Sequence, residues 1–370
     1  MKEVVNVNEA RQSRIDYLDS LRGIAILLVI TNHVGSATGL KGELSGLIGS
    51  FGFGVQLFFV ISAFTIYLTY QRSLDNGVKF PIRNFYVRRF SRIFPVYWFG
   101  IVLYTLVYGL NSRGWLPGPE WWHYFLHFSL VNIVSPITQS SVVPGGWSIS
   151  IEVMFYLCFP LIILLVKDFK SALIFLFITL IPFPLLAELL KYLVGDYFNK
   201  TDATLLSLWW SRIPLYQFGC FAFGFLFYFT IKEKKFGFLA NKNVNLVFVL
   251  ISILLLWFGV KFKGVFIIKA HWCSFAFFIL AVCLSNINWK FLSNSFLSFC
   301  GKVSYSGYLL HFLFANKISQ ILSSDGSIHS FLMVWFICLI LTFFFAYWSH
   351  RFIETPSILL GKKILKKMNS

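Results

Sequence analysis

The sequence predicts an all-α polytopic membrane protein with about ten transmembrane helices in one bundle. Of its 370 residues, 57% are hydrophobic and 20% are aromatic, whereas only 13% are charged. Soluble domains carry roughly 25% charged residues, so this chain has too little polar surface to be one. Its mean hydropathy is +0.72. Apolar residues in this excess need the lipid bilayer as their solvent.

Ten apolar runs are long enough to cross a bilayer, because a spanning helix needs about 20 residues. They lie at about residues 17–35, 51–70, 93–110, 147–166, 172–190, 213–231, 244–260, 265–285, 296–316 and 330–349. The first and ninth runs carry polar residues and are the weakest. The fifth contains Pro182 and Pro184, which predict a kink or a break.

The distribution of basic residues predicts that both termini lie in the cytoplasm. With the N-terminus inside, the inside segments hold 21 Lys and Arg and the outside segments hold 9, in agreement with the positive-inside rule. The longest predicted outer segment is 111–146. Residues 1–370 then form one membrane domain, with a cytoplasmic tail (1–16), a transmembrane bundle (17–349) and a basic cytoplasmic tail (350–370). In a soluble protein the net charge of +17 would suggest nucleic acid. Here the basic residues fall between apolar runs, so the predicted partner is the bilayer and not nucleic acid.

The first run carries two ionisable residues, Arg22 and His33, eleven positions apart. Eleven residues make three helical turns, so both side chains project from nearly the same face, about 16 Å apart. Ionisable residues inside a membrane helix are functional candidates by default, and Asp19 nearby strengthens the case. His33 suits proton transfer from a hydroxyl near neutral pH, or could act as a nucleophile. Alternatively, Arg22 snorkels to the inner headgroups and His33 sits at the outer interface.

A cluster of arginines precedes the third run, at Arg88, Arg89 and Arg92. Guanidinium groups match phosphate oxygens well, and coenzyme A is a cytoplasmic molecule with several phosphates. The cluster therefore predicts a binding site for acyl-CoA. The alternative is a positive-inside cluster that touches anionic lipid.

The fourth run begins with Trp147 and Ser148 and carries Glu152 one turn later. A carboxylate at this depth needs a partner or a function, so Glu152 is expected to orient His33 or assist proton transfer. Equally, it could be an interfacial residue that the helix dipole stabilises.

Three further histidines carry weaker signals. His311 is a second intramembrane histidine, and a hydrogen-bonded core residue is its plainer interpretation. His123 and His127 have helical metal-ligand spacing, but no glutamate stands between them in an HExxH arrangement. No metal site is predicted.

Several ordered segments resemble the acyltransferase-3 family of bacterial integral membrane O-acyltransferases. They are Leu18–His33, Phe53–Ser62, Phe85–Tyr97, Trp147–Tyr156, Val303–His311 and the segment Arg351–Pro356. Each is weak alone, but the ordered set spans nearly the whole chain. The resemblance implies a ten-helix membrane domain, an acyl-CoA donor, usually acetyl-CoA, and a glycan or lipid-linked glycan acceptor.

The resemblance also assigns roles to residues. It implies catalytic roles for Arg22 and His33, coenzyme binding by Arg89 and Arg92, and a Trp-Ser-x-x-x-Glu segment that maps onto Trp147, Ser148 and Glu152. We expect the catalytic set to be His33, Arg22 and Glu152, and the coenzyme-binding set to be Arg88, Arg89, Arg92 and Arg22. The expected substrate-binding residues are Asp19, Trp147, Ser148 and His311.

The chain departs from the family pattern at three positions. Ala63 stands where a glycine usually follows the serine, and Val153 and Met154 replace the common Glu-Gln pair after Glu152. The short single-domain form resembles acetyltransferases of O-antigen and related polysaccharides in the bacterial inner membrane. The rival interpretations are a transporter of an acyl donor or lipid-linked glycan, with Arg22 and Glu152 lining its path, and a structural partner in polysaccharide assembly.

Overall fold

The computed structural model describes residues 7–113, 118–198, 200–261 and 268–369. Within these ranges the chain is helical and contains no β-strand. The N-terminal half contains α1 (Val7–Ala37), α2 (Glu43–Ser50), α3 (Gly54–Asp75), α4 (Pro81–Tyr108), α5 (Trp121–Phe128), α6 (Gly146–Leu165), α7 (Phe169–Leu180) and α8 (Pro182–Val194). The C-terminal half contains α9 (Ala203–Arg212), α10 (Pro214–Lys232), α11 (Lys242–Lys261), α12 (Lys269–Asn286), α13 (Ser295–Lys302), α14 (Ser304–Ile321), α15 (Ile328–Ser349) and α16 (Thr355–Asn369).

Nine helical segments of the described chain are long and apolar enough to cross a membrane. They coincide with nine of the ten predicted apolar runs, which confirms the all-α polytopic class. The predicted ninth run, 296–316, is instead divided at Val303 into α13 and α14. Asn294 is the N-cap of the short α13, because its side chain accepts a hydrogen bond from the backbone N–H of Leu297.

The predicted break in the fifth run is confirmed. Helix α7 ends at Leu180 and α8 begins at Pro182, because a proline lacks the N–H that would continue the helix. Trp115 of the predicted outer segment 111–146, residues 265–267 of the eighth run and residues 1–6 of the first tail lie outside the described residues.

Helix α10 is the centre of the bundle. In its most apolar stretch of 18 residues, 89% of the residues are buried inside the protein, against 22% in the corresponding stretches of α11 and α15. The outer helices expose large apolar side chains on one side only. In α6 these are Leu157, Leu161, Leu164 and Leu165. These exposed faces are the surfaces that meet lipid, while the opposite faces pack inside the bundle.

The C-terminal segment is packed and helical. After Ser349 the chain makes one π-helical turn, His350–Glu354, and continues as α16, which packs against α4. Glu354 in the turn is buried. The segment predicted as a basic tail therefore brings a carboxylate to the arginine-bearing end of α4.

Candidate functional site

Helix α1 holds two of the three predicted catalytic residues, Arg22 and His33, and its position is fixed by close packing against α13. An added Cβ at Gly301 would lie 1.8 Å from the backbone oxygen of Asp19, and one at Gly23 would lie 2.1 Å from that of Leu297. Only glycine permits this approach of two backbones. The position of Arg22 in the bundle depends on this contact.

Three of the predicted arginines line one cavity, which we call the arginine cavity. It is lined by Arg22, Arg89 and Arg92 together with Glu152. Among its other lining residues are Ser62, Ser148, Tyr156, Tyr305 and Tyr308.

Each arginine of this cavity is held differently. Arg22 Nη1 lies 2.8 Å from Asp19 Oδ1, and Arg92 Nε lies 3.9 Å from Glu354 Oε1. Arg89 stacks on the ring of Tyr156, with its guanidinium carbon 5.6 Å from the ring centre. The Nε atom of Arg89 is buried and has no hydrogen-bond partner in the described part of the chain. A buried donor of this kind calls for an acceptor such as a phosphate oxygen.

Glu152 lies among the arginines and not beside His33. Its Oε1 accepts hydrogen bonds from Ser62 Oγ and from Tyr156 O–H, the latter at 2.5 Å. No contact with His33 appears among the described residues, so the expected orientation of His33 by Glu152 is not what the structure shows. Arg88 also lies apart, since its Nη2 donates to Ser73 Oγ at 3.0 Å and it does not line the arginine cavity.

His33 lines a second, larger cavity, which we call the histidine cavity. Trp147 and Arg212 share this lining. The first turn of α6 therefore contributes to both cavities, because Trp147 lines the histidine cavity and Ser148 lines the arginine cavity.

The hydrogen bonds of His33 define its tautomer. Its Nδ1 lies 2.9 Å from the Val29 carbonyl oxygen and 3.1 Å from Nε2 of His311. His311 is fully buried, and its Nδ1 lies 3.3 Å from the Gly307 carbonyl oxygen. We assign the Nδ1–H of His311 to Gly307, and the Nδ1–H of His33 to Val29 and His311, because carbonyl oxygens only accept. The lone pair of His33 then lies on Nε2.

Two residues, Val55 and Tyr308, line both cavities and form the wall between them. The Tyr308 hydroxyl lies 2.7 Å from Ser148 Oγ and 3.1 Å from the Gly145 carbonyl oxygen. Gly145 has φ +75°, and an added Cβ would lie 2.6 Å from the Phe312 ring. The Gly145 position therefore needs glycine.

Trp147 and Gln139 hold Arg212 in the histidine cavity. The Arg212 guanidinium carbon lies 4.8 Å from the centre of the Trp147 ring, and its Nη1 donates to Gln139 Oε1 at 2.8 Å. Gln139 belongs to the predicted outer segment, 111–146.

His127 shapes this outer segment. It is fully buried, and its two ring nitrogens lie 2.8 Å from the Tyr97 hydroxyl and 2.9 Å from the Thr138 carbonyl oxygen. Burial lowers the pKa of His127 to about 3, so the ring is neutral at physiological pH. The described residues contain no cluster of three metal-ligating side chains.

Sequence reasoning missed Arg212, Glu354 and Tyr308 as site residues. Arg212 precedes Pro214 at the start of a spanning run, a position where a buried cation is unusual. Glu354 and Tyr308 lie in segments that the resemblance had singled out without giving these residues a role.

The chain resembles known proteins along almost all its length. It is 28% identical to a Staphylococcus aureus (strain MRSA252) protein provisionally named O-acetyltransferase SAR0937, over 95% of this chain and 59% of that protein. It is also 28% identical to O-acetyltransferase OatA of S. aureus (strain NCTC 8325), over 92% of this chain and 56% of the relative. The chain thus spans under three-fifths of the length of these curated relatives. No solved structure matches it. The model of the acyltransferase domain family matches residues 15–351, and the chain belongs to that family.

Proposed function

We propose that the protein is an O-acetyltransferase that moves an acetyl group from cytoplasmic acetyl-CoA to a hydroxyl of a cell-surface glycan. One structural relationship carries the proposal. The arginine cavity and the histidine cavity adjoin at Val55 and Tyr308, so a phosphate-binding site and a proton-accepting site lie on either side of one thin wall. The O-acetyltransferase names of the relatives support acetyl as the group transferred.

The charge distribution supports an orientation for the two cavities. The end of α4 that carries Arg89 and Arg92 belongs to residues 71–92, one of the basic segments that the positive-inside rule assigns to the cytoplasm. The arginine cavity then opens toward cytoplasmic acetyl-CoA, and His33 lies toward the outer face. We place the protein in the bacterial inner membrane with both termini inside. This topology requires α14 to cross the bilayer as a tenth span, in addition to the nine helical segments.

The arginine cavity suits the phosphates of coenzyme A. Its lining carries three guanidinium groups against the single carboxylate of Glu152. The buried, unpartnered Nε of Arg89 supplies a donor that a phosphate oxygen would satisfy. Glu354 holds Arg92 from outside the cavity, so this cation is aimed before the donor binds. Glu152 fixes the position of Tyr156 beneath Arg89.

His33 performs the proton transfer. In the assigned tautomer its Nε2 carries a lone pair, so it removes the proton of the acceptor hydroxyl as the hydroxyl oxygen attacks the thioester carbonyl. The C–O bond forms, the C–S bond breaks, and the departing sulfur takes a proton from the imidazolium. Val29 and His311 hold the ring in this orientation through Nδ1. The acceptor class that fits is an O-antigen or another surface polysaccharide, or its lipid-linked precursor.

Acetyl transfer by the purified full chain in lipid nanodiscs tests the proposal. Acetyl-CoA and a bacterial surface polysaccharide are supplied, and both free coenzyme A and acetylated glycan are measured. The protein should release one coenzyme A for each acetyl group transferred. His33→Ala should lower this rate by about 10²–10⁴-fold, as expected for loss of a general base.

His329→Ala is the matched control, because His329 is an exposed histidine at the start of α15 and lines neither cavity. It should keep the full rate. Equal rates in His33→Ala and wild type would refute the mechanism. Release of no coenzyme A by the wild type under any acceptor would instead favour a transporter.

A further inference from the structure

The histidine cavity has an excess of positive charge for which the proposed chemistry gives no reason. Its charged lining residues besides His33 are Lys191, Arg212 and Lys269 against Glu188 alone. Glu188 lies 3.9 Å from Lys191 and also accepts a hydrogen bond from Tyr216. The single carboxylate is thus already paired with Lys191 and Tyr216, at the exposed rim of the histidine cavity.

Arg212 is a partly buried cation that no described carboxylate balances, whereas Lys269 is exposed to solvent. No described Asp or Glu lies within ion-pair distance of Arg212. It is held by the neutral groups Trp147 and Gln139. A guanidinium has five N–H donors, and the bond to Gln139 uses one of them. The fork is therefore fixed in place with donors free for a planar or tetrahedral oxyanion.

Uncharged groups of the same cavity suit a sugar. Gln56 is 4% exposed, and its Nε2 donates to Gln217 Oε1 at 3.1 Å, which fixes the amide orientation. The Gln56 Oε1 is buried without a partner in the described chain, so it can accept a hydrogen bond from a hydroxyl of a ligand. The rings of Trp147 and Trp210 add apolar surfaces to the lining on which a pyranose ring can pack.

We propose that the histidine cavity takes an acceptor glycan that carries an oxyanion, and that Arg212 binds this group. The oxyanion is a sugar carboxylate or the phosphate of a lipid carrier. The proposal rests on the proposed function only in taking the ligand as the acyl acceptor. Arg212 thereby selects anionic over neutral glycans and places the acceptor beside His33.

Binding to the full chain in nanodiscs, measured calorimetrically without any acyl donor, tests the proposal. The first pair of probes is a galacturonate trisaccharide and its methyl ester. The second pair is a disaccharide joined to a short polyprenyl chain by diphosphate and the same disaccharide joined by a neutral ether. The wild type should bind the anionic member of one pair about tenfold to a hundredfold more tightly than its neutral counterpart. The pair that shows the preference identifies carboxylate or phosphate as the source.

Arg212→Gln should abolish this preference, and Lys41→Gln, which removes an exposed cation that lines neither cavity, should keep it. Should Arg212→Gln fail to fold, Arg212→Lys should lose part of the preference, because a lysine lacks the fork. Equal binding of both members in both pairs would overturn the proposal, as would a full preference in the Arg212 variants. Because no donor is present, these outcomes do not depend on whether acetyl transfer is detected.

Discussion

Nε2 of His311 lies 3.1 Å from Nδ1 of His33, and the two rings stand 5.0 Å apart between their centres. The pair joins α14 to α1 across 278 positions of sequence. The Val29 carbonyl sets the tautomer of His33, and the contact with His311 helps to hold the ring in place, so His311 is a positioning residue in the proposed mechanism. This differs from the substrate-binding role expected for His311 from the sequence.

Replacing His311 should lower turnover and spare donor binding. His311→Phe removes one of the two acceptors of the Nδ1–H of His33 and leaves the Val29 carbonyl as the other, so we expect kcat to fall about 10-fold or more with the KM for acetyl-CoA within about twofold. His311→Gln retains a hydrogen-bonding side chain and should recover part of kcat. Steady-state kinetics of both variants in nanodiscs measures this. A rise in KM with unchanged kcat would assign His311 to binding instead.

Replacing Arg89 should weaken donor binding. Arg89→Ala removes a buried, unpartnered donor from the arginine cavity, and we expect the KM for acetyl-CoA to rise about 10- to 100-fold, as for loss of a charge-assisted hydrogen bond. The variant should discriminate less than the wild type between acetyl-CoA and acetyl-dephospho-CoA or acetyl-pantetheine. Arg72→Ala, an exposed arginine at the end of α3, is the control and should keep the wild-type KM. An unchanged KM in Arg89→Ala would remove Arg89 from the donor site.

Opening the wall between the cavities should let water hydrolyse acetyl-CoA without transfer of the acetyl group to an acceptor. Tyr308→Ala removes a ring that lines both cavities, so water should reach the thioester. We expect acetyl-CoA hydrolysis without acceptor to rise at least about threefold relative to transfer. Tyr308→Phe keeps the ring and loses only the bonds to Ser148 and Gly145, so its ratio of hydrolysis to transfer should stay closer to that of the wild type. Equal ratios in all three proteins would show that Tyr308 does not divide the cavities.

A methyl group at Gly301 should disturb α1, the helix that carries Arg22 and His33. The added Cβ would lie 1.8 Å from the Asp19 carbonyl oxygen, so Gly301→Ala should lower the free energy of unfolding by about 1–3 kcal/mol and reduce turnover. Gly46→Ala is the matched control in a helix, because an added Cβ there meets nothing within 4 Å. Thermal unfolding in nanodiscs compares the two. Equal stability of both variants would mean that α1 and α13 are less closely packed than described.

Acid should destabilise the outer segment through His127. Its pKa is about 3 in the folded protein and about 6.5 when unfolded, so the unfolded state binds more protons between these values. Stability is therefore fully present above about pH 6.5 and falls as the pH drops toward 3, with a loss of about 2 kcal/mol by pH 5. His127→Gln should flatten this dependence between pH 7 and 5. Limited proteolysis of the outer segment measures it, and identical pH dependence in both proteins would contradict the assignment.

Most of the helices could be predicted from the sequence because a membrane span is recognised by its length and hydropathy. The prediction of one helix over residues 296–316 was wrong, because the short helix α13 and the 18-residue helix α14 together read as one apolar run. Arg22 and His33 were predicted because helical spacing alone places them on one face. The pairing of Arg212 with Gln139 joins residues 73 positions apart, and that of Tyr308 with Ser148 joins residues 160 apart. No local pattern encodes such contacts, so these parts of the site needed the fold.

The division of the site by Val55 and Tyr308 has an electrical consequence. A continuous water-filled passage across the bilayer would let ions run down their gradients during every catalytic cycle. In the proposed reaction, this barrier of packed side chains keeps the nucleotide portion of the donor on its own side, and only a two-carbon fragment has to pass. Acetyl transfer of this kind would leave the membrane potential intact.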